Sequence, residues 1–480
     1  MNATTLTLAA FEPVLPEMLL VCIGLVLVLL DLFAPKQREL LPWLTILGAV
    51  TALGMVFWER NGSAFGGMFL TDSYAVFFKV ICLLAVIMAI LMSEPYNRVH
   101  GLFQGEYYSL MLFSAVGMLI MASAGDLMVL YLGLELMALS VYCLVGILRR
   151  ENRCAEAAMK YFLMGGFGSA ILLYGMSLVY GLTGTTTIAE IAAQAAQAPL
   201  LDNPALLAAL GMMIAAFCFK VAVAPFHFWT PDVYEGAPTP VTAFMSVGPK
   251  AAGFAVFGRV MVSGFPMFAD HWSGLLATLA LLTMAVGNIT ALSQTSIKRM
   301  LAYSAIAHAG YALLGIMAGT PAGLSATMNY LLFYGFMNMG AFAILILLSS
   351  SGAHHESLDD YRGLAKNHPL AAVLMLIFMF SLTGIPPTAG FIGKFYLLKA
   401  ALEAGFTGTV IGAVIFSTIS AWYYLRVVRY MYMSDPTGEL EFSYSPGISA
   451  VLGLALLGVV GLGLFPGSIL GRAASALLGQ

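Results

Sequence analysis

Fourteen stretches of roughly 20 predominantly apolar residues follow one another along this chain, each long enough to cross a bilayer as a helix. They run at about 14–33, 40–59, 73–92, 107–125, 127–148, 155–180, 205–230, 240–263, 273–292, 299–318, 321–348, 369–400, 407–432 and 447–470. Short alternating strands, the mark of a membrane barrel, are missing from the pattern, so the spans are read as helices. Only 9% of the residues are charged and 60% are hydrophobic, where a soluble domain carries about 25% charge. A compact soluble surface cannot be covered at that density, and disorder needs the opposite composition. The expected fold is therefore an all-α polytopic membrane protein, one helical bundle without soluble domains. A net charge of −3 argues against a nucleic-acid partner.

The five cysteines, Cys22, Cys82, Cys143, Cys154 and Cys218, form no C-x-x-C pair, and four lie in apolar stretches. Neither a disulfide framework nor a zinc or iron–sulfur site is expected. Glycine-rich stretches such as Met164–Gly168 sit inside apolar helices, without dinucleotide or P-loop spacing. Any redox cofactor of a larger assembly is expected in other chains. The first apolar run lacks a basic n-region and a cleavage site, so no cleavable signal peptide is expected.

Basic residues in the connections set the orientation. Lys36, Arg38, Arg98, Arg149, Arg150, Arg153, Lys298, Arg299, Arg362, Lys366, Arg426 and Arg429 fall in odd-numbered connections; Arg60, Lys399 and Arg472 fall in the others. Twelve against three places the odd connections in the cytoplasm and both termini outside. Lys79, Lys160, Lys220, Lys250, Arg259 and Lys394 remain inside spans. Each costs about 2.5–3.5 kcal/mol at a helix centre on insertion scales, which lipid anchoring alone does not require. Lys79 and Arg259 lie near outer ends, where snorkelling to the interface is the plain expectation.

Two segments resemble each other. Ala157–Phe167 (AAMKYFLMGGF) in span six and Ala326–Phe336 (ATMNYLLFYGF) in span eleven share six of eleven positions. They are five spans apart, an odd number, so the two units are expected upside down relative to each other, as in secondary transporters. Span seven carries Lys220 shortly before Pro225, and span twelve carries Pro386 and Pro387 shortly before Lys394. Proline removes a backbone donor and frees a carbonyl one turn earlier. Broken helices at membrane depth are tolerated only where they face protein or water.

Glu135 lies mid-span, where a lone carboxylate is very costly, and Lys220 is its expected partner. Two unit charges ~6 Å apart at an effective dielectric of ~20 interact by about 3 kcal/mol. Changing that separation by a few ångströms would load or unload a proton on the amine; a static buried ion pair is the alternative. Lys250 has no obvious partner in its own helix. Glu156 and Lys160, four apart, share a face and suit either a proton inlet or a surface pair. His308, one turn from Ser304, and His227, beside the break of span seven, are relay candidates, or else satisfied core histidines. Glu135, Lys220, Lys250, His308 and Lys394 form an expected polar file along the membrane plane, with one half-channel in each repeat.

Three motifs carry a family resemblance: Phe226–Phe244 (FHFWTPDVYEGAPTPVTAF), Ser296–Tyr311 (SIKRMLAYSAIAHAGY) and Gly384–Phe395 (GIPPTAGFIGKF). The chain resembles, over nearly its whole length, the antiporter-like subunits of respiratory complex I, the NADH–quinone oxidoreductase. The resemblance implies fourteen helices, two inverted five-helix repeats and proton pumping driven by quinone reduction elsewhere. The family's key Glu of the fifth helix falls on Glu135, its Lys of the seventh, eighth and twelfth helices on Lys220, Lys250 and Lys394, and its tenth-helix His on His308. One sister branch carries Glu at the twelfth-helix position, and another is longer, with a lateral helix. NADH, FMN, iron–sulfur clusters and quinone are then expected in partner subunits, none in this chain. The expected partners are other membrane subunits, including a sister antiporter-like subunit, and lipids, in a bacterial inner membrane.

The expected organisation is helices 1–3 over residues 1–106, repeat one over 107–263, repeat two over 264–432 and a last helix within 433–480. A subunit of a multisubunit sodium/proton antiporter or of a membrane-bound hydrogenase is the competing reading. A passive scaffold would not need so many central lysines.

Overall fold

The computed structural model describes residues 8–58, 61–197, 203–349, 356–436 and 445–478; Arg60 lies outside them. Among these, thirteen helices are long and apolar enough to cross a membrane. The first six spans are α1 (Leu15–Phe33), α2 (Leu41–Trp58), α3 (Ser73–His100), α4 (Gly105–Ser123), α5 (Leu127–Val145) and α6 (Asn152–Thr183). A short helix, α7 (Ile188–Ala195), follows. Span seven is two pieces, α8 (Pro204–Val221) and α9 (Trp229–Gly236). Then come α10 (Thr239–Arg259), α11 (Ala269–Ala291), α12 (Ile297–Met317) and α13 (Pro321–Ser349). Span twelve is also split, into α14 (Pro369–Thr383) and α15 (Ala389–Glu403). Counted with this broken span, the crossings number fourteen. α16 (Thr407–Met433) and α17 (Pro446–Leu464) complete them, and α18 (Gly467–Leu478) is an additional amphipathic helix packed on α13 and α3, where the sequence was read as ending on one helix.

The two interruptions are built alike. α8 ends with Ala222 at φ +63° and α14 ends with Gly384 at φ +94°. In each case the next amide reaches back five residues, Val223 to the Cys218 carbonyl at 2.8 Å and Ile385 to the Phe380 carbonyl at 3.0 Å. That is the left-handed cap that commonly closes helices. Gly384 adopts it freely; Ala222 carries a Cβ in a conformation sparsely populated for non-glycine residues. The prolines lie just beyond each cap, where the chain has already left the helix.

The connections sort onto two faces. On one, Gly125 donates to Met68, Leu127 to Thr186 and Ile188 to Gly125, all backbone bonds joining even-numbered connections. A two-stranded hairpin, β1 (Gly62–Ala64) with β2 (Phe69–Thr71), lies there too. On the other face Arg98 pairs with Glu39, Arg153 with Glu356, and Arg426 donates to the Leu292 and Gln294 carbonyls. Lys366 sits 2.7 Å from Asp435, holding that exposed carboxyl below its usual range by hydrogen bond and charge. The connections that carry most of the basic residues thus lie on a single face, as the alternation of fourteen crossings requires. Lys298 and Arg299 belong to the first turn of α12 rather than to the connection.

α10, α12 and α13 are almost wholly buried and form the centre of the bundle; α1, α16 and α17 lie outside. Close approach of neighbouring helices rests on glycine. A Cβ at Gly117 of α4 would stand 2.4 Å from the Met137 nitrogen of α5, and one at Gly287 of α11 would stand 2.6 Å from the Ala307 nitrogen of α12.

Two expectations fail at the outer ends. Lys79 does not snorkel: it is fully buried, 2.9 Å from Glu17 of α1 and 5.0 Å from the Phe69 ring centroid. Arg259 makes two bonds to Asp72 at 2.6 and 2.9 Å and a third to the Ala122 carbonyl at 3.0 Å. Both side chains face neighbouring elements of the protein rather than lipid. There a carboxylate supplied by another element costs less than an unpaired cation.

Candidate proton file

Lys250 sits in the middle of α10, one residue after Pro249. Its ammonium donates to the Ala305 carbonyl of α12 at 2.5 Å and lies 5.9 Å from the Tyr334 ring centroid. Tyr334, on α13, packs its ring 5.0 Å from His308, and its hydroxyl is buried without a hydrogen-bond partner. His308 Nδ1 meets Tyr330 Oη at 2.5 Å and Nε2 meets Tyr424 Oη at 3.1 Å. Ser304 shares the Tyr424 hydroxyl. Tyr311 lies 6.0 Å from His308 on one side, and on the other the Lys394 ammonium lies 4.8 Å from its ring. Lys394 donates to the Leu382 and Thr383 carbonyls at 3.1 and 2.8 Å and to Ser417 Oγ at 3.1 Å. These carbonyls are the open end of half-helix α14, the negative pole of its dipole. Lys250, His308 and Lys394 are therefore strung along one buried line with tyrosines between them. Sequence reasoning missed Tyr311, Tyr334 and Tyr424. Tyrosine on an apolar helix reads as packing until its neighbours are known.

The first half of the file holds its two charges apart rather than in direct contact. Glu135 and Lys220 do not form an ion pair within 4.0 Å. The Ser169 hydroxyl of α6 donates to Glu135, and Lys220 reaches the Tyr142 hydroxyl at 3.5 Å, with that ring 5.9 Å away. The Lys220 amine is held at the hydroxyl of Tyr142, seven residues beyond Glu135 on α5, rather than at the carboxylate itself.

The two broken-helix lysines are also not at matching places. Lys220 precedes its break, on α8, and Lys394 follows its break, on α15. Their surroundings nevertheless correspond. Tyr142 touches Lys220 and Tyr311 touches Lys394. These tyrosines are separated by the same 169 positions as Ala157 and Ala326, which open the two similar segments. At the first break the Phe219 carbonyl, which accepts the Ala222 amide at 3.2 Å, also receives the Trp229 indole N–H at 3.0 Å, where the second break receives a lysine.

His227 stands apart. It is buried, stacked on Phe228 at 4.8 Å, and its Nδ1 has no partner, so its position at the break does not bring it to the file. Glu156 and Lys160 pair at 2.8 Å on the basic face. They belong to a larger network: Lys160 also meets Asp232 at 2.9 Å, Asp232 meets Arg299 at 3.1 Å, and Arg299 meets Glu235 at 2.6 Å. Lys298 pairs with Glu356 at 3.0 Å and donates to the Ala237 carbonyl at 2.7 Å. Among the described residues no cluster of three or more His, Cys, Asp or Glu is placed to hold a metal.

Residues 124–420 match the family described as NADH:quinone oxidoreductase/Mrp antiporter, TM. The chain is 53% identical, over 96% of its own length and 96% of the relative's, to NADH-quinone oxidoreductase subunit N of Desulfovibrio desulfuricans. Its fold matches a chain of respiratory complex I from Thermus thermophilus, solved with bound aureothin. There the TM-score is 0.82 and the identity 35%, over 96% of this chain and 99% of that one. A chain of the Mrp complex from a Dietzia species matches with a TM-score of 0.83 over 98% and 97% of the two chains; at 22% identity this is a likeness of fold alone.

Proposed function

This chain belongs to the family of antiporter-like membrane subunits called NADH-quinone oxidoreductase subunit N, and from that membership we propose the route by which it carries protons. The observation behind the route is the buried line from Lys250 through His308 to Lys394. It holds titratable side chains at membrane depth, joined by hydroxyls and rings and ending on the open carbonyls of a broken helix. Ionisable groups inside spans are functional candidates by default. We extend the line from Lys250 to Lys220, with Tyr142 as its contact and Glu135 as the associated charge. A static pair is disfavoured because the two groups are not locked together.

Protons enter from the basic face, which the loop charges place in the cytoplasm, and leave on the other side. The driving step is quinone reduction by NADH in other subunits, which hold FMN and the iron–sulfur clusters. Other membrane subunits, among them a sister antiporter-like chain, flank this one in a bacterial inner membrane. The two inverted repeats each contribute half of the route, a reading supported by the paired caps at Ala222 and Gly384 and the paired tyrosines. The test is proton uptake in vesicles containing the parent complex. Lys220→Ala and Lys394→Ala each abolish pumping, and the double variant stays inactive; full pumping with both amines removed overturns the route. The 53% identity over nearly the full chain favours this reading over a sodium/proton antiporter subunit.

A further inference from the structure

α9 is eight residues long and lies between the open segment after Ala222 and the turn at Ala237 and Pro238. Its charged side holds Asp232, one carboxylate oxygen on Lys160 of α6 and the other on Arg299 of α12. These two cations belong to different halves of the protein. Each keeps a second carboxylate, Lys160 on Glu156 at 2.8 Å and Arg299 on Glu235 at 2.6 Å. Asp232 can therefore release either one without stranding a charge. All these side chains are partly exposed, and ion pairs in that setting are weak enough to exchange. A cavity of about 130 Å³, lined by Glu156, Lys160, Asp232, Glu235 and Arg299 among others, lies directly beside them and has room for water.

The other end of α9 is aromatic and reaches Lys220. The Trp229 indole donates to the Phe219 carbonyl, the residue before Lys220, at 3.0 Å. The same indole stacks on Tyr161 at 4.5 Å and 10°. Tyr161 meets Tyr142 edge-on at 4.6 Å, and Tyr142 is the hydrogen-bond partner of Lys220. A shift of this short helix thus moves both the carbonyl and the hydroxyl that surround the amine.

We propose that Asp232 is a positioning residue for Lys220: exchange of its carboxylate between Lys160 and Arg299 tilts α9, and Trp229 passes the movement to the Phe219 carbonyl and Tyr142. The cytoplasmic inlet is thereby tied to the state of the second half of the molecule through Arg299. This deepens the proton-route reading and rests on it.

The experiment uses the assembled complex in vesicles, measuring protons taken up per NADH oxidised. Asp232→Asn lowers that ratio by about five- to tenfold, the low end of the coupling between linked sites, with complex content unchanged, and Asp232→Glu restores most of it. Lys160→Gln and Arg299→Gln each lower the ratio, and their double variant is no worse than the more severe single one, because both act through the same carboxylate. Should Asp232→Asn fail to assemble, the Lys160 and Arg299 cycle decides. Additive losses, or an unaltered ratio in Asp232→Asn while Lys220→Ala abolishes pumping, overturn the switch alone. Retained pumping in Lys220→Ala overturns the route beneath it.

Discussion

At the scale of single residues, the membrane interior separates paired from relayed charges. Lys79 of α3 and Glu17 of α1 face each other at 2.9 Å in full burial. They fix the N-terminal helices to one another. Removing one partner of such a pair costs about 3–5 kcal/mol, because the other is left uncompensated. Lys79→Met is therefore expected to lower the thermal stability of the purified complex sharply, and Glu17→Gln combined with Lys79→Met to recover most of it. Tyr142 is the opposite case. Its hydroxyl meets Lys220 at 3.5 Å, a long bond to a charged group at the lower end of about 1.5–3 kcal/mol. Tyr142→Phe is expected to slow pumping about tenfold with normal assembly, read as proton uptake at matched complex content.

At the scale of elements, function rests on where helices stop and on how closely they pass. The caps at Ala222 and Gly384 present last-turn carbonyls at membrane depth, and the indole of Trp229 and the amine of Lys394 donate to them. Because α11 and α12 touch through Gly287, with a Cβ there reaching 2.6 Å from Ala307, His308 is held beside a contact that tolerates no extra carbon. Gly287→Val is expected to destabilise by about 1–3 kcal/mol through overpacking and to lower pumping more than Gly211→Ala. At Gly211 nothing lies within 4 Å of an added Cβ. Thermal unfolding and vesicle uptake of the two variants check this.

At the scale of the whole molecule, the connections sort onto two faces, and the charge bias predicts which of them is cytoplasmic. In a variant lacking the exposed cysteines Cys22 and Cys143, a membrane-impermeant maleimide added to intact cells with a permeabilised outer membrane is expected to label Ser63→Cys. Arg150→Cys should be labelled only after the inner membrane is opened. The reverse pattern would invert the orientation and with it the assignment of the inlet beside Asp232.

The sequence by itself determined the helical membrane class, the number of crossings, both interruptions and the deep lysines. Each of these is a one-dimensional property: run length against bilayer thickness, proline position, and the cost of charge in lipid. Partnership was decided only by the tertiary structure. Glu135 and Lys220 looked like direct partners because both are deep, yet their hydrogen bonds go to Ser169 and Tyr142. Lys79 and Arg259 looked like surface anchors because they lie near span ends, yet neighbouring helices bring them Glu17 and Asp72. Asp232 sat in a motif noted for its specificity, and its two cations come from residues 72 and 67 positions away. Electrostatic and hydrogen-bond energies depend on distances of a few ångströms between side chains on different helices. Those distances come into being only when the helices pack.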